Sequence, residues 1–380
     1  MADSSKEEEI KKGLEGIIAG NSMVCMLDGQ NGKLEYRGYN IKDLAGNCTF
    51  EEVAYLLLYG KLPSKAELKA FKKVLAERRK LPKHVIKTLK SLPATMNSME
   101  AMRTLVSALG AGIEDPRKLN AEQLRDQAVT LTAAFPVISA YFYRIKRGLP
   151  IVKPSKKLGH AANYLYMLKG TEPSEEEAKA IDMDLVLHAE HSFNASTFAV
   201  RVTISTLSDI YSAMVTGIGV LKGPLHGGAA SQVMGMLEKI GDVGNVDSYI
   251  NNALANKQKI MGIGHRVYRT YDPRAVILKE EARKFSENKG DMKWFRMAEK
   301  IEEKMMQEKG LYANVDFYSA IVYHNLGMPP EMDSDKFAVS RVTGWAAHAL
   351  EQYSDNRLIR PLDNYIGPVD LQFVPLDKRK

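Results

Sequence analysis

The chain has 380 residues, 45% of them hydrophobic and 26% charged, with a net charge of +7. This is the composition of an ordinary globular protein, long enough for two domains or for one with a large insertion. Two cysteines, Cys25 and Cys48, exclude a disulfide framework and a cysteine-based zinc site. The basic residues read as spread over many helices without a nucleic-acid-binding motif. A protein that handles small polyanions therefore fits at least as well as one that binds nucleic acid.

In chain order, the opening MADSSKEEEIKKG is polar and acidic, unlike a secretory signal or an Arg-rich transit peptide. No run approaches the roughly 18 apolar residues of a membrane span, so a cytoplasmic protein with no membrane partner is expected. Residues 22–38 read as a short hairpin around Asn31-Gly32. Thr49–Glu52, Ser64–Glu67 and Ser174–Glu177 have the form of capping boxes, and Asn120–Gln123 is a looser version. Leu68, Phe71 and Leu75 recur at helical spacing, and Gly60 ends the helix carrying Tyr55 and Tyr59. Residues 121–147 read as one long helix that Pro136 would kink. Residues 194–221 hold small and β-branched residues with few charges, as in a helix packed on every side at the centre or at a subunit interface. Residues 283–309 are strongly charged, which a solvated helical face explains. The fold class is all-α with a small N-terminal β element.

Of eight histidines, His84, His160, His324 and His348 lie in ordinary helical text and read as surface or packing residues. His188 and His191 are three apart and would share a face if helical. They could begin a metal site, but no further ligands with suitable spacing follow. His226, in KGPLHGGAA, precedes a helix expected over 229–239. The positive helix end would lower its pKa and keep it neutral, able to donate to a developing oxyanion; a turn-filling histidine is the plain alternative. MGIGHRVYRTYDPR, residues 261–274, sets His265 among Arg266, Arg269 and Arg274. Val267 stands where a dinucleotide fingerprint needs its third glycine, and no phosphate-binding P-loop occurs. One histidine with several arginines fits a carbonyl to polarise and anionic groups to hold. Asp316 lies in an apolar stretch where a carboxylate must be paired or used; Asn314 is a rival for the helix cap. Arg341, Arg357 and Arg360 add cations near the C-terminus.

Together, HAEHSFNASTFAVRV, STLSDIYSA, LKGPLHGGAA, MGIGHRVYRTYDPRA, NVDFYSAIVY and SRVTGW resemble the sequence blocks of citrate synthases, in that family's order. The resemblance runs from about Gly13 to the C-terminus and is to the short dimeric form of archaea and many bacteria. It implies a helical homodimer. A large domain of residues 1–226 and 322–380 would carry the dimer interface and oxaloacetate site. A small domain, 227–321, would carry the CoA site and close over the cleft. It implies that His226 hydrogen-bonds the thioester oxygen of acetyl-CoA, Asp316 removes the methyl proton and His265 polarises the ketone of oxaloacetate. His191, Arg274 and Arg341 would hold oxaloacetate and citrate carboxylates, with Arg360 supplied to the partner subunit's site. Arg269, the Gly262-Ile263-Gly264 backbone and, more weakly, Lys257 and Lys259 would hold CoA. The CoA thioester is a co-substrate, and no metal or other cofactor is implied. Ile263, Ser192-Phe193 and Ala230-Ser231 depart from the family's usual residues, which leaves acetyl-CoA against propionyl-CoA open. The rival readings are 2-methylcitrate synthase, a metallohydrolase built on His188 and His191, and a non-catalytic helical scaffold.

Overall fold

The computed structural model describes residues 10–227 and 229–379, without the side chains of 229–231. Strands β1 (Cys25–Asp28), β2 (Lys33–Tyr36) and β3 (Tyr39–Asn40) form an antiparallel sheet in the order β1-β2-β3. Cys25 faces Tyr36 and Asp28 faces Lys33. Asp28 Oδ1 accepts hydrogen bonds from the backbone N–H of Gln30 and Asn31, both 3.0 Å, closing the expected turn. β2 alternates, so Leu34 and Tyr36 are buried.

Sixteen α-helices follow among the described residues. α1 (Ile41–Asn47), α2 (Phe50–Tyr59), α3 (Lys65–Arg78), α4 (Lys83–Ser91) and α5 (Ser98–Leu109) lead to the long α6 (Ala121–Lys146). The caps read from the sequence are present. Ser64 and Glu67, Ser174 and Glu177, and Asn120 and Gln123 exchange hydrogen bonds, and Gly60 closes α2 at φ +80°. α6 runs unbroken through Pro136. It is long and apolar enough to cross a membrane, but 83% of its most apolar stretch is buried inside the protein. It packs against α5, α7 (His160–Lys169) and α16 (Asp333–Ser354).

The stretch 194–221 is two helices rather than one: α9 (Ala195–Ser205) and α10 (Ile210–Leu221). Leu207 takes φ +64° between them, and Asp209 caps α10 by accepting from Ser212 N. The pair pack tightly together and against α16, where Trp345 is fully buried. α8 (Glu175–His188) also touches α16. α11 (Ala229–Ile240), α12 (Val246–Ala255), α13 (Pro273–Lys289), α14 (Lys293–Lys309) and α15 (Val315–Asn325) pack chiefly among themselves, and α13 leans on α1 and α8.

Candidate active site

Two chain segments build one wall of the site. Gly264 N donates to Tyr312 O at 2.7 Å and Asn314 N donates to Gly262 O at 2.9 Å, so 262–264 runs antiparallel beside 312–314. Gly262 has φ +74°, and a Cβ there would meet Phe317 at 2.7 Å; only glycine lets the strands come this close. Asn314 caps α15 and its side-chain amide donates to Gly264 O at 3.0 Å. Thus Asn314 is the cap, and Asp316 is free of that duty. The pairing fixes His265, just after Gly264, relative to Asp316 in the first turn of α15.

His265 is half-buried. Its Nδ1 accepts from the backbone N–H of Val267 (3.0 Å) and Tyr268 (3.2 Å). A nitrogen that accepts cannot carry the proton, so the neutral ring holds it on Nε2. Burial, and then Arg274, push the pKa down to about 4. His191 is buried beside it, ring centroids 5.3 Å apart, with Nε2 at 3.2 Å from the Tyr268 hydroxyl. Burial, then Arg274 and His265, hold His191 well below the ordinary range.

Arg274 is buried in a bidentate pair with Asp272: Nε to Oδ1 at 3.0 Å and Nη2 to Oδ2 at 2.8 Å. Asp272 also caps α13, accepting from Arg274 N, and takes Val315 N at 3.2 Å, joining the starts of α13 and α15. Burial pushes the Asp272 carboxyl up, and Arg274 more than reverses this. Arg341, on α16, is fully buried, stacks 4.6 Å over Phe337, and donates from Nε to His188 O at 2.8 Å. Its Nη2 has no partner among the described residues. A buried guanidinium with a free donor edge is a place for an anionic oxygen.

His226 lies before α11 with Nε2 at 2.8 Å from Ser196 Oγ. That hydroxyl also receives Trp345 Nε1–H at 3.1 Å. Burial lowers the His226 pKa to about 4, with Arg341 adding to it. Asp316 is pushed up to about 6 by burial, against the lowering influence of His188 and Arg274. Its carboxylate has no hydrogen-bond partner among the described residues.

The structure therefore brings together His191, His265, Arg274 and Arg341, whose charges are felt in common, and couples Asp316 and His226 to the same arginines. Gly262, Ile263 and Gly264 form the wall; Arg269, Lys257 and Lys259 are exposed. Arg360 is exposed in the extended segment after α16 and touches none of these groups. His188 and His191 do not share a helix face, because α8 ends at His188, which turns its Nδ1 to Asp184 O at 2.9 Å. Among the described residues no cluster of His, Cys, Asp or Glu could hold a metal. Ser196, Tyr268, Asp272 and Phe337 escaped the sequence reading. Only Asp272 left a local signal, Asp-Pro-Arg, a cap with proline at the first helical position.

Neutral imidazoles, a carboxyl of raised pKa and buried arginines form a site of the kind that serves acid–base chemistry on an anionic substrate. The family model "Citrate synthase, C-terminal domain" matches residues 13–362. The chain is 47% identical to the citrate synthase of Haloferax volcanii, covering 98% of this chain and 99% of the relative. It is 41% identical to the 2-methylcitrate synthase of Shewanella oneidensis, covering 97% of each. Among solved structures it is similar to the ternary complex of carboxymethyl coenzyme A and oxaloacetate with citrate synthase from Thermoplasma acidophilum, at 36% identity and TM-score 0.92, over 98% of this chain and 100% of that one. The chain belongs to the citrate synthase family, whose members transfer an acyl group and convert it into an alkyl group.

Proposed function

We propose that the cleft condenses acetyl-CoA with oxaloacetate and water to give citrate and CoA, by the following division of labour. Oxaloacetate lies against Arg274, Arg341 and His191, whose cationic and neutral donors face its carboxylates. His265 donates its Nε2 proton to the ketone oxygen. Asp316 takes a methyl proton from the thioester. His226, held by Ser196, donates to the thioester oxygen as negative charge builds there. A thioester α-proton is a weak acid, so Asp316 succeeds only while the enolate is stabilised by fixed donors in a dry site. The observation that carries this reading is the pairing of 262–264 with 312–314, which sets a neutral donor and a raised-pKa base on one wall.

His191, Arg274 and Arg341 are 8%, 2% and 1% exposed, so substrate entry requires the segments around them to part. That supports a mobile small domain, 227–321, against a large domain of 1–226 and 322–380, with oxaloacetate binding first and closure creating the CoA site. CoA then lies on the 262–264 backbone near Arg269, with Lys257 and Lys259 at the rim. The extended tail exposes Leu362 (86%), Ile366 (92%) and Phe373 (82%). An apolar strip of this kind suits a second copy of the chain, to whose site Arg360 is supplied. The test is thiol release from acetyl-CoA or propionyl-CoA, with and without oxaloacetate. Oxaloacetate-dependent release favouring acetyl-CoA is expected. A propionyl preference would overturn the substrate, and no release would overturn the reaction.

A further inference from the structure

Residues 61–90 contain eleven Lys or Arg and only two Glu. Their excess of nine is larger than the net +7 of the whole chain. The basic charge is therefore not spread evenly, as the sequence first suggested, but gathered on α3, α4 and the turn between them. A cavity of about 470 Å³ opens where the last turns of α3 meet the segment 156–159. Lys72, Lys73, Arg79, Lys156 and Lys157 line it. None of these residues belongs to the catalytic cleft.

The wall is constructed rather than accidental. Arg79 is 3% exposed and donates from Nη1 to Ser155 O (2.7 Å) and Leu158 O (3.0 Å), pinning the far wall to α3. Its Nε is buried without a partner among the described residues, an unmet donor on a residue that lines the cavity. Gly159, also in the lining, is the N-cap of α7. Two acids are present, and both are engaged: Glu51 Oε1 accepts from His160 N at 2.9 Å, and Glu77 pairs with Lys73 at 4.0 Å.

We propose that this cavity binds a small polyanion carrying two or three linked phosphates, at a site separate from the catalytic cleft. Its size falls in the usual range for small-molecule pockets. Ammonium groups meet phosphate as point charges, and the guanidinium N–H supplies direction. A concave site of this volume suits a compact anion better than a nucleic-acid strand, which would need an open groove with aromatic stacking.

Calorimetric titration with inorganic tripolyphosphate tests the site. One molecule per chain is expected to bind the wild type, and the Lys72→Ala/Lys157→Ala variant to bind at least about tenfold more weakly. The variant's KM for acetyl-CoA should stay unchanged, which separates this site from the CoA rim. The Lys72→Arg/Lys157→Arg variant should keep binding. ATP in place of tripolyphosphate identifies the source: tighter binding supports a nucleotide ligand, weaker binding an inorganic chain. Equal affinity in wild type and alanine variant would overturn the proposal, as would binding of a single-stranded oligonucleotide without binding of tripolyphosphate. Because thiol release is measured separately, an inactive protein that still binds tripolyphosphate would refute the catalytic reading and leave this one standing.

Discussion

Replacing Ser196 by alanine separates two roles of one hydroxyl. Ser196 Oγ lies 2.8 Å from His226 Nε2, 3.1 Å from Trp345 Nε1 and 2.9 Å from Asn194 Oδ1. The indole can only donate, so it occupies one lone pair. Ser196 Oγ donates to Asn194 Oδ1; when its one proton turns instead to His226 Nε2, the ring's own proton is on Nδ1 and is available to a developing oxyanion. Ser196→Ala leaves the Trp345 N–H unpaired in a fully buried position, a loss of about 1–3 kcal/mol in stability. It also frees the His226 ring to turn or change tautomer. Complete loss of an oxyanion donor lowers kcat by about 10²–10³. The ring remains here, so a fall of about tenfold to a hundredfold is expected. Steady-state thiol release with both substrates varied, beside thermal unfolding, reads both effects. The oxaloacetate KM should hold within about twofold, because transition-state stabilisation is what is removed. Lowered stability with unchanged kcat would refute the argument, showing Ser196 to be a packing residue only.

Asp316→Asn should abolish condensation while oxaloacetate still binds in a calorimeter; lost binding with retained turnover would reverse the assignment. Arg274→Ala should raise the oxaloacetate KM sharply and destabilise the fold by about 3–5 kcal/mol, since Asp272 is left as a buried unpaired charge; a change confined to the acetyl-CoA KM would contradict it. The pH profile of kcat/KM should fall as pH drops through about 6, where Asp316 gains its proton; an acid limb below about pH 4.5 would remove Asp316 as the base. Stability has two opposed parts. His226 and His265, pushed down to about 4 from 6.5, contribute stability that is full above 6.5 and is lost as pH falls toward 4. Asp316, pushed up from 3.8, contributes stability that is full below 3.8 and is lost as pH rises through about 6. The two windows overlap between about pH 4 and 6, so replacing Asp316 by Asn removes the opposing part and should steepen the loss of stability as pH falls toward 4, leaving the profile above about 6.5 level. Mixing an Arg360→Ala subunit with an Asp316→Asn subunit should restore part of the activity if sites are shared, and a verified mixed dimer without activity would deny it.

Local chemistry made much of the fold readable. Capping pairs such as Ser64 with Glu67 satisfy helix ends within three residues, so sequence alone announces them. The Asn31-Gly32 hairpin is equally local. The break between α9 and α10 escapes a reading by residue size and low charge; its signal is the polar run Ser205-Thr206-Leu207-Ser208-Asp209, which ends in a capping residue. In the site, His226, His265 and Asp316 stood out because polar groups among glycines or apolar residues need a reason. Ser196, Tyr268 and Phe337 did not, for each is an ordinary residue in ordinary text. Ser196 matters only because a chain reversal places His226, thirty residues later, against its hydroxyl. His226 shows the limit from another side: burial and Arg341, distant in sequence, lower its pKa, and neither is visible in the local text.

The hairpin turn rests directly on the histidine loop. Arg269 N donates to Gly29 O at 2.9 Å, a Cβ at residue 29 would come 2.3 Å from Val267 O, and one at Gly32 would come 2.9 Å from Tyr271 O. Two hydrogens in the first thirty-two residues thus set the clearance above His265, a ring they never touch. The hairpin behaves as a spacer of minimum thickness: a methyl added at either glycine forces the 267–271 backbone to shift.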